Sequence, residues 1–402
     1  MSIEIRSPSD DRLDEAMRAG EAAFSSQPDE EDYARQRKLM PLDRFLVAYD
    51  DGRPVGTTAS HAFELTIPGG QLPAGGVTWV AVQPSHRRRG ILSMFMRRQL
   101  EDLRERGEPL AILWSSESSI YGRFGYGVSA LNLSMDADRS RFGLRDDAGS
   151  VGSMRMVGKE EAAEVLPPVY DRVRRLVHGM FSRTEEWWTE DTLADPESSR
   201  RGAGPQFYAV HESGNEIDGY AIYRMRHDWP QGVPSGELQV VEAYGVSRDA
   251  TREVWRFLFG VDLAARVTAR RVDPGIRLEL MVTDPRSLHL RISDGLWLRL
   301  VDVEQALAAR EYASDGAVVL DVRDAFCPWN EGRFRVGSVV ERTDDAADLE
   351  LDVSDLARVY LGAYDFEALE AAGRVREHRA DAVAEASALF RTTRPPFAAE
   401  VF

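Results

Sequence analysis

Residues 78–95 read TWVAVQPSHRRRGILSMF, and the way this one stretch folds decides how the chain around it is organised. Thr78 to Val82 are apolar or β-branched and read as a strand, Pro84 breaks it, and from Ile91 onward apolar residues return at helical spacing. The helix predicted over GILSMFMRRQLEDLRERG carries Leu92, Met96, Leu100 and Leu103 on one face and Arg97, Arg98, Glu101, Asp102 and Arg104 on the other. Gly107 stands where a helix C-terminus favours glycine. A loop that leaves a strand and starts a helix presents unpaired backbone N–H groups and the positive end of the helix dipole, which together make an anion site. Gly90 admits a ligand close to the backbone, and Arg87, Arg88 and Arg89 add forked donors matched to phosphate oxygens. The plainer alternative for RRRG alone is a solvated basic cluster in front of a helix.

Upstream, residues 44–67 (RFLVAYDDGRPVGTTASHAFELTI) alternate as two strands around a turn at Asp50 to Pro54, and downstream LAILWSS (110–116) reads as another strand. The result is a strand, helix, strand unit in an α/β fold with mixed sheets (α+β mixed sheets), and 402 residues with 43% hydrophobic content predict two or three domains. No basic-then-apolar leader and no run near ~18 apolar residues is present, so the expectation is a cytoplasmic chain with no membrane partner. The single cysteine, Cys327, excludes an internal disulfide, and seven scattered histidines offer no metal site, so no metal is expected. A net charge of −17 argues against nucleic acid and favours cationic ligands, with plain solubility as the alternative.

The second chemical signal is SSESSIYGRFGYG (115–127). The stretch VAVQPSHRRRGIL resembles motif A of the GNAT N-acetyltransferase superfamily, whose helix N-terminus holds the pyrophosphate of acetyl-CoA, with Leu92 standing where a small residue is usual. Tyrosine followed by a glycine-aromatic pair, 31 positions after Gly90, resembles motif B. The resemblance gives Val80, Ala81 and Val82 backbone contacts to the pantetheine arm. It gives Arg87, Arg88, Arg89, Gly90, Ile91, Leu92, Ser93, Ser116 and Glu117 to the rest of the cofactor. Tyr121 matches the catalytic tyrosine, Gly125 and Tyr126 the ending. A phenol with a pKa near ~10 is suited to protonating a departing thiolate. Ordinary aromatics in a glycine-rich turn are the alternative.

Together with DGLWLRLVDVEQALAAREY (294–312) and LARVYLGAYDFEALEAAGRV (356–375), these motifs make nearly the whole chain similar to the Eis family of aminoglycoside N-acetyltransferases. That similarity implies a catalytic GNAT domain over 1–150, a second GNAT-like domain without a cofactor site over 151–292, and a sterol-carrier-like domain over 293–402. It also implies a homohexamer, and a carboxylate at Phe402 acting as base or orienting group. Phe24, Ser26, Asp29 and Glu400 are the expected acceptor-binding residues, although Ser26 stands near where relatives carry an acid and Val401 is penultimate where an acid is expected. Glu30, Glu31 and Asp32 share the early acidic stretch, and a solvated surface is the alternative for each acid.

The remaining chain reads consistently with three parts. Residues 205–225 alternate as a hairpin, and GELQVVEAYGVSRDATREVWRFLFG (236–260) repeats the strand-then-helix pattern without an arginine-glycine loop, which predicts no CoA there. Short strands such as GAVVLDV and GRFRVGS follow, and RTTRPPFAAEVF ends in a stiff segment whose Phe397, Val401 and Phe402 suit docking. The expected activity is acetyl transfer from acetyl-CoA, in a ternary complex, to a small-molecule polyamine. The alternatives are a protein lysine or N-terminus as acceptor, and a non-catalytic CoA- or lipid-binding assembly.

Overall fold

In the computed structural model, which describes residues 3–145 and 151–402, the alternating stretch from Arg44 becomes the hairpin its pattern predicts. Glu4–Arg6 (β1) lies beside Phe45–Asp50 (β2), and β2 turns into Arg53–Ile67 (β3) through Asp51 and Gly52, both at positive φ (49° and 75°), as a two-residue hairpin turn requires. Between β1 and β2 come the helices Asp10–Ala23 (α1) and Glu30–Leu39 (α2). Gly70–Val82 (β4) runs antiparallel to β3, and Ile91–Glu105 (α3) crosses over to Leu110–Trp114 (β5), which is parallel to β4. The buried face of α3 is Ile91, Phe95, Met96, Gln99, Leu100 and Leu103, so Met96, Leu100 and Leu103 lie on the predicted apolar stripe while Leu92 is only half-buried. Gly107, at φ 74°, closes the helix as predicted, its N–H donating to the Arg104 carbonyl and that of Glu108 to the Leu103 carbonyl.

The chain forms two compact units. The first comprises residues 1–130, 295–394 and 401–402. Its seven-stranded sheet has the order β1-β2-β3-β4-β5-β14-β6, where β6 is Gly127–Val128 and β14, Leu296–Leu300, slots antiparallel between β5 and β6. The same unit holds a five-stranded sheet of Val318–Arg323 (β15), Gly332–Val336 (β16), Glu341–Arg342 (β17), Leu349–Asp352 (β18) and Val375–Glu377 (β19), in the order β17-β16-β15-β18-β19. GAVVLDV and GRFRVGS are its adjacent strands β15 and β16, as the sequence predicts. Leu320, Phe334, Leu351, Leu356, Tyr360, Phe366 and Leu389 are buried in this part.

The second unit comprises residues 131–294 and 395–400. Its sheet joins Leu131–Asp138 (β7), Ser153–Val157 (β8), Gln206–Ser213 (β9), Glu216–Arg226 (β10), Gly236–Gly245 (β11), Ala264–Val272 (β12) and Arg291–Asp294 (β13) in the order β13-β7-β12-β11-β10-β9-β8. Along β10 the side chains alternate between two cores: Tyr220 and Ile222 join Tyr170 of helix Lys159–Arg174 (α4), while Ala221 and Tyr223 join Trp255 of the helix Arg248–Gly260. The expected first boundary, at 150, lies outside the described residues. Residues 395–400 form a strap on this unit: the Phe397 N–H donates to the His178 carbonyl at 2.8 Å, Phe397 enters the core beside Tyr244, and Arg271 Nε donates to the Ala399 carbonyl at 2.7 Å. Among the described residues no helix is long and apolar enough to cross a membrane.

Candidate functional site

The site begins with an irregularity in β4. Thr57 faces Ala81 and Ala59 faces Thr78, so Trp79 and Val80 together oppose Thr58 in a β-bulge. Trp79 takes the left-handed conformation (φ 54°), and its carbonyl accepts from Thr57 Oγ1 at 2.8 Å. β4 is paired with β5 only at Ala74–Gly76, opposite Leu110–Ile112. Past that point Val80, Ala81 and Val82 line a cavity of about 470 Å³.

At one side of this cavity stands the start of α3. Gly90 is its N-cap at φ 81° with no side-chain cap, so the first-turn N–H groups are left to a ligand or to water. Nothing lies within 4 Å of where a side chain at Gly90 would begin. Arg87, Arg88, Gly90, Ile91, Leu92 and Ser93 all line the cavity. Arg89 does not: its guanidinium reaches Asp50 at 3.4 Å, and the same Asp50 oxygen lies 3.1 Å from His86 Nε2. Arg89 therefore ties the loop to the end of β2, a role the sequence reading missed because Asp50 is 39 residues away.

After β5 the chain enters a segment that contributes Ser116, Glu117, Ile120 and Tyr121 to the same cavity. Tyr121–Phe124 is a single 3-10 turn ended by Gly125 at φ 83°, a conformation that glycine adopts without strain. Tyr121 is buried, and its ring meets that of Tyr126 edge-on, centroids 5.8 Å apart. Burial, with the Glu117 carboxylate second, pushes the Tyr121 phenol up to about 12, so its hydroxyl keeps its proton at neutral pH. The cavity thus joins an anion-binding backbone, an unpaired strand edge and a proton donor.

The expected acceptor residues part company. Phe24, exposed at the end of α1, lines the cavity together with Ala23. Ser26 is exposed, and Asp29 is the N-cap of α2, its Oδ1 accepting from the Asp32 N–H at 2.8 Å; neither lines the cavity. Glu400 is buried in the second unit, one oxygen taking Arg183 Nε at 2.8 Å and the other Trp187 Nε1 at 2.9 Å, which makes it an anchor of the C-terminal strap. Phe402 packs its ring against Phe63, centroids 5.1 Å apart, and over Gly76, where β4 and β5 last pair. Burial pushes the Cys327 thiol up, which disfavours its reactive thiolate.

The second unit repeats the strand-helix pattern without the cavity's chemistry. The helix Arg248–Gly260 is capped by Ser247, whose Oγ accepts from the Ala250 N–H at 3.0 Å, and a side chain at Gly245 would run into the backbone of residues 250–251. Here the chain itself takes up the Ala250 N–H, a first-turn donor that α3 leaves open.

Residues 4–129 and 179–300 each match an Acetyltransferase (GNAT) domain family, and residues 303–399 match a Sterol carrier protein domain family. The chain is 42% identical to an uncharacterized N-acetyltransferase of Streptomyces coelicolor over 90% of each chain. It is 32% identical to the N-acetyltransferase Eis of Mycobacterium tuberculosis over 98% of each. Its structure is similar to that of Eis1 from Mycobacterium abscessus, with a TM-score of 0.87 and 32% identity over 100% of both chains.

Proposed function

Because the chain belongs to the Eis family of GNAT N-acetyltransferases, we propose that it transfers the acetyl group of acetyl-CoA to primary amines of aminoglycosides or similar polycationic small molecules, directly in a ternary complex. The observation that carries the reading is the cavity that brings Tyr121 together with the Arg87–Ser93 helix start and the freed edge of β4. These residues fit acetyl-CoA: uncapped N–H groups and two arginines suit its pyrophosphate, and a strand edge suits its amide-bearing arm. Bound there, acetyl-CoA supplies an activated acyl group with a thiolate to be displaced.

The chain's own residues do the rest. Backbone N–H groups along Val80–Val82 orient and polarise the carbonyl, and Tyr121 Oη gives its proton to the departing sulfur. The carboxylate of Phe402 orients the attacking amine and passes its proton to water. A carboxyl with a reference pKa of ~3.3–3.7 is too acidic to take an ammonium proton efficiently by itself. Support for this role comes from the Phe402 ring, which packs on Phe63 of β3 and over Gly76 of β4.

The test is release of free CoA from acetyl-CoA across aminoglycosides, simple polyamines and lysine peptides. Turnover with aminoglycosides, lost on extending the chain beyond Phe402, is expected. Turnover with lysine peptides alone would replace the acceptor class, and none with any amine despite CoA binding would sink the reading.

A further inference from the structure

The turn that carries Tyr121 is cast against residues from far along the chain. Phe124 meets Phe326 edge-on, centroids 5.0 Å apart. A side chain at Gly127 would collide with the Ser354 carbonyl, and Ser129 donates its hydroxyl to the Ala357 carbonyl at 2.5 Å. A side chain at Gly125 would begin 2.7 Å from Cζ and 2.8 Å from Nε and Nη1 of Arg299. Every one of these partners belongs to β14 or to the sterol-carrier-like part that follows it.

Arg299 is the unusual member. It is the one charged residue of the strand LWLRL, and its side chain is 0% exposed. Its Nη2 donates to Asp324, whose carboxylate is itself held by the Cys327 N–H and by Asn330 Nδ2, each at 2.9 Å. The hydroxyl of Tyr126, the ring packed on Tyr121, has no hydrogen-bond partner among the described residues. Burying a guanidinium is costly even when it is paired, and an apolar residue would complete this strand without that cost. What arginine adds is a rigid plane that Asp324 locks in one orientation behind the turn.

We infer that the Arg299–Asp324 pair is a positioning device that sets the Tyr121 hydroxyl for proton transfer, and that this is what the sterol-carrier-like part contributes to catalysis. The inference rests on Tyr121 acting as the acid. Its test is kcat and the KM for acetyl-CoA of Arg299→Lys and Asp324→Asn, each in the native and the Tyr121→Phe backgrounds. Arg310→Met, a buried arginine of the sterol-carrier-like part that does not touch the turn, serves as the control for general destabilisation.

Both variants are expected to lower kcat about ten- to a hundredfold with KM within about twofold. Neither should lower it further once the Tyr121 hydroxyl is gone, because the group they place is absent. Arg310→Met should lower Tm and leave kcat per folded enzyme unchanged. Unchanged kcat in Arg299→Lys, or an equal loss with and without the hydroxyl, would overturn the positioning role and leave Tyr121 as the acid. Native kcat in Tyr121→Phe would overturn the acid itself, and this role with it. Should Arg299→Lys not fold, Asp324→Asn decides by the same criteria.

Discussion

At Tyr121 the burial that hides the phenol also fixes its chemistry. An acid raised to about 12 stays protonated through neutral and mildly alkaline pH, so kcat should show no falling limb from this group between about pH 8 and about pH 11. A stopped assay across that range checks it, and a limb near pH 10 would mean an exposed, unshifted phenol. Gly90 makes the complementary point. Its φ of 81° makes Gly90→Ala cost about 1 kcal/mol of backbone strain, yet the space around it is open, so we expect a nearly native Tm with a KM for acetyl-CoA raised several-fold. Both residues were legible because their chemistry sits in short, contiguous motifs. Arg299 was not, although a lone arginine between leucines in a strand is a signal of a paired buried charge; its partner Asp324 is 25 residues away and no local pattern names it. Glu400 was legible only as an acid near the terminus, and its capture by Arg183, 217 residues earlier, belongs to tertiary structure.

At the level of elements, two helices with similar sequence surroundings differ in how they start. α3 begins uncapped at Gly90 and faces a cavity, whereas the helix Arg248–Gly260 is capped by Ser247 and packs its first turn against the backbone at Gly245. Helix ends also explain Arg310. Its Nε and Nη2 donate to the carbonyls of Tyr360 and Phe390, the last residues of the helices Val353–Tyr360 and Ala382–Phe390, so the cation is balanced by the negative ends of two helices. Arg310→Met strands those carbonyls, and denaturant unfolding should show a loss of about 2–4 kcal/mol. The strap obeys the same logic, because Arg183 is fully buried between Glu242 and Glu400. Arg183→Met leaves both carboxylates without their cation, and amide exchange at Phe397–Glu400 should accelerate by the equivalent of about 3–5 kcal/mol. Sequence periodicity predicted α3, most of its buried stripe and the β2–β3 hairpin, but misplaced Leu92, which turns toward the cavity in the first turn.

For the whole molecule, the strand-then-helix pattern was readable twice along the chain, while sheet order was not: β14 joins a sheet begun nearly three hundred residues earlier, and register of that kind is written in no contiguous stretch. Net charge was readable outright, and at −17 it bears on the proposed acceptor. Capture of a polycation by an acidic protein is screened by salt, so kcat/KM for an aminoglycoside should fall several-fold between about 0.02 and about 0.5 M salt, while that for an uncharged or singly charged amine should barely move. The most direct test of the account is to incubate the protein with acetyl-CoA and an aminoglycoside and count by mass spectrometry the acetyl groups on the product, beside the Tyr121→Phe variant. We predict more than one acetyl group per acceptor, matched by the CoA released, and loss of most product in the variant. An unmodified aminoglycoside, or equal acetylation by the variant, would contradict it.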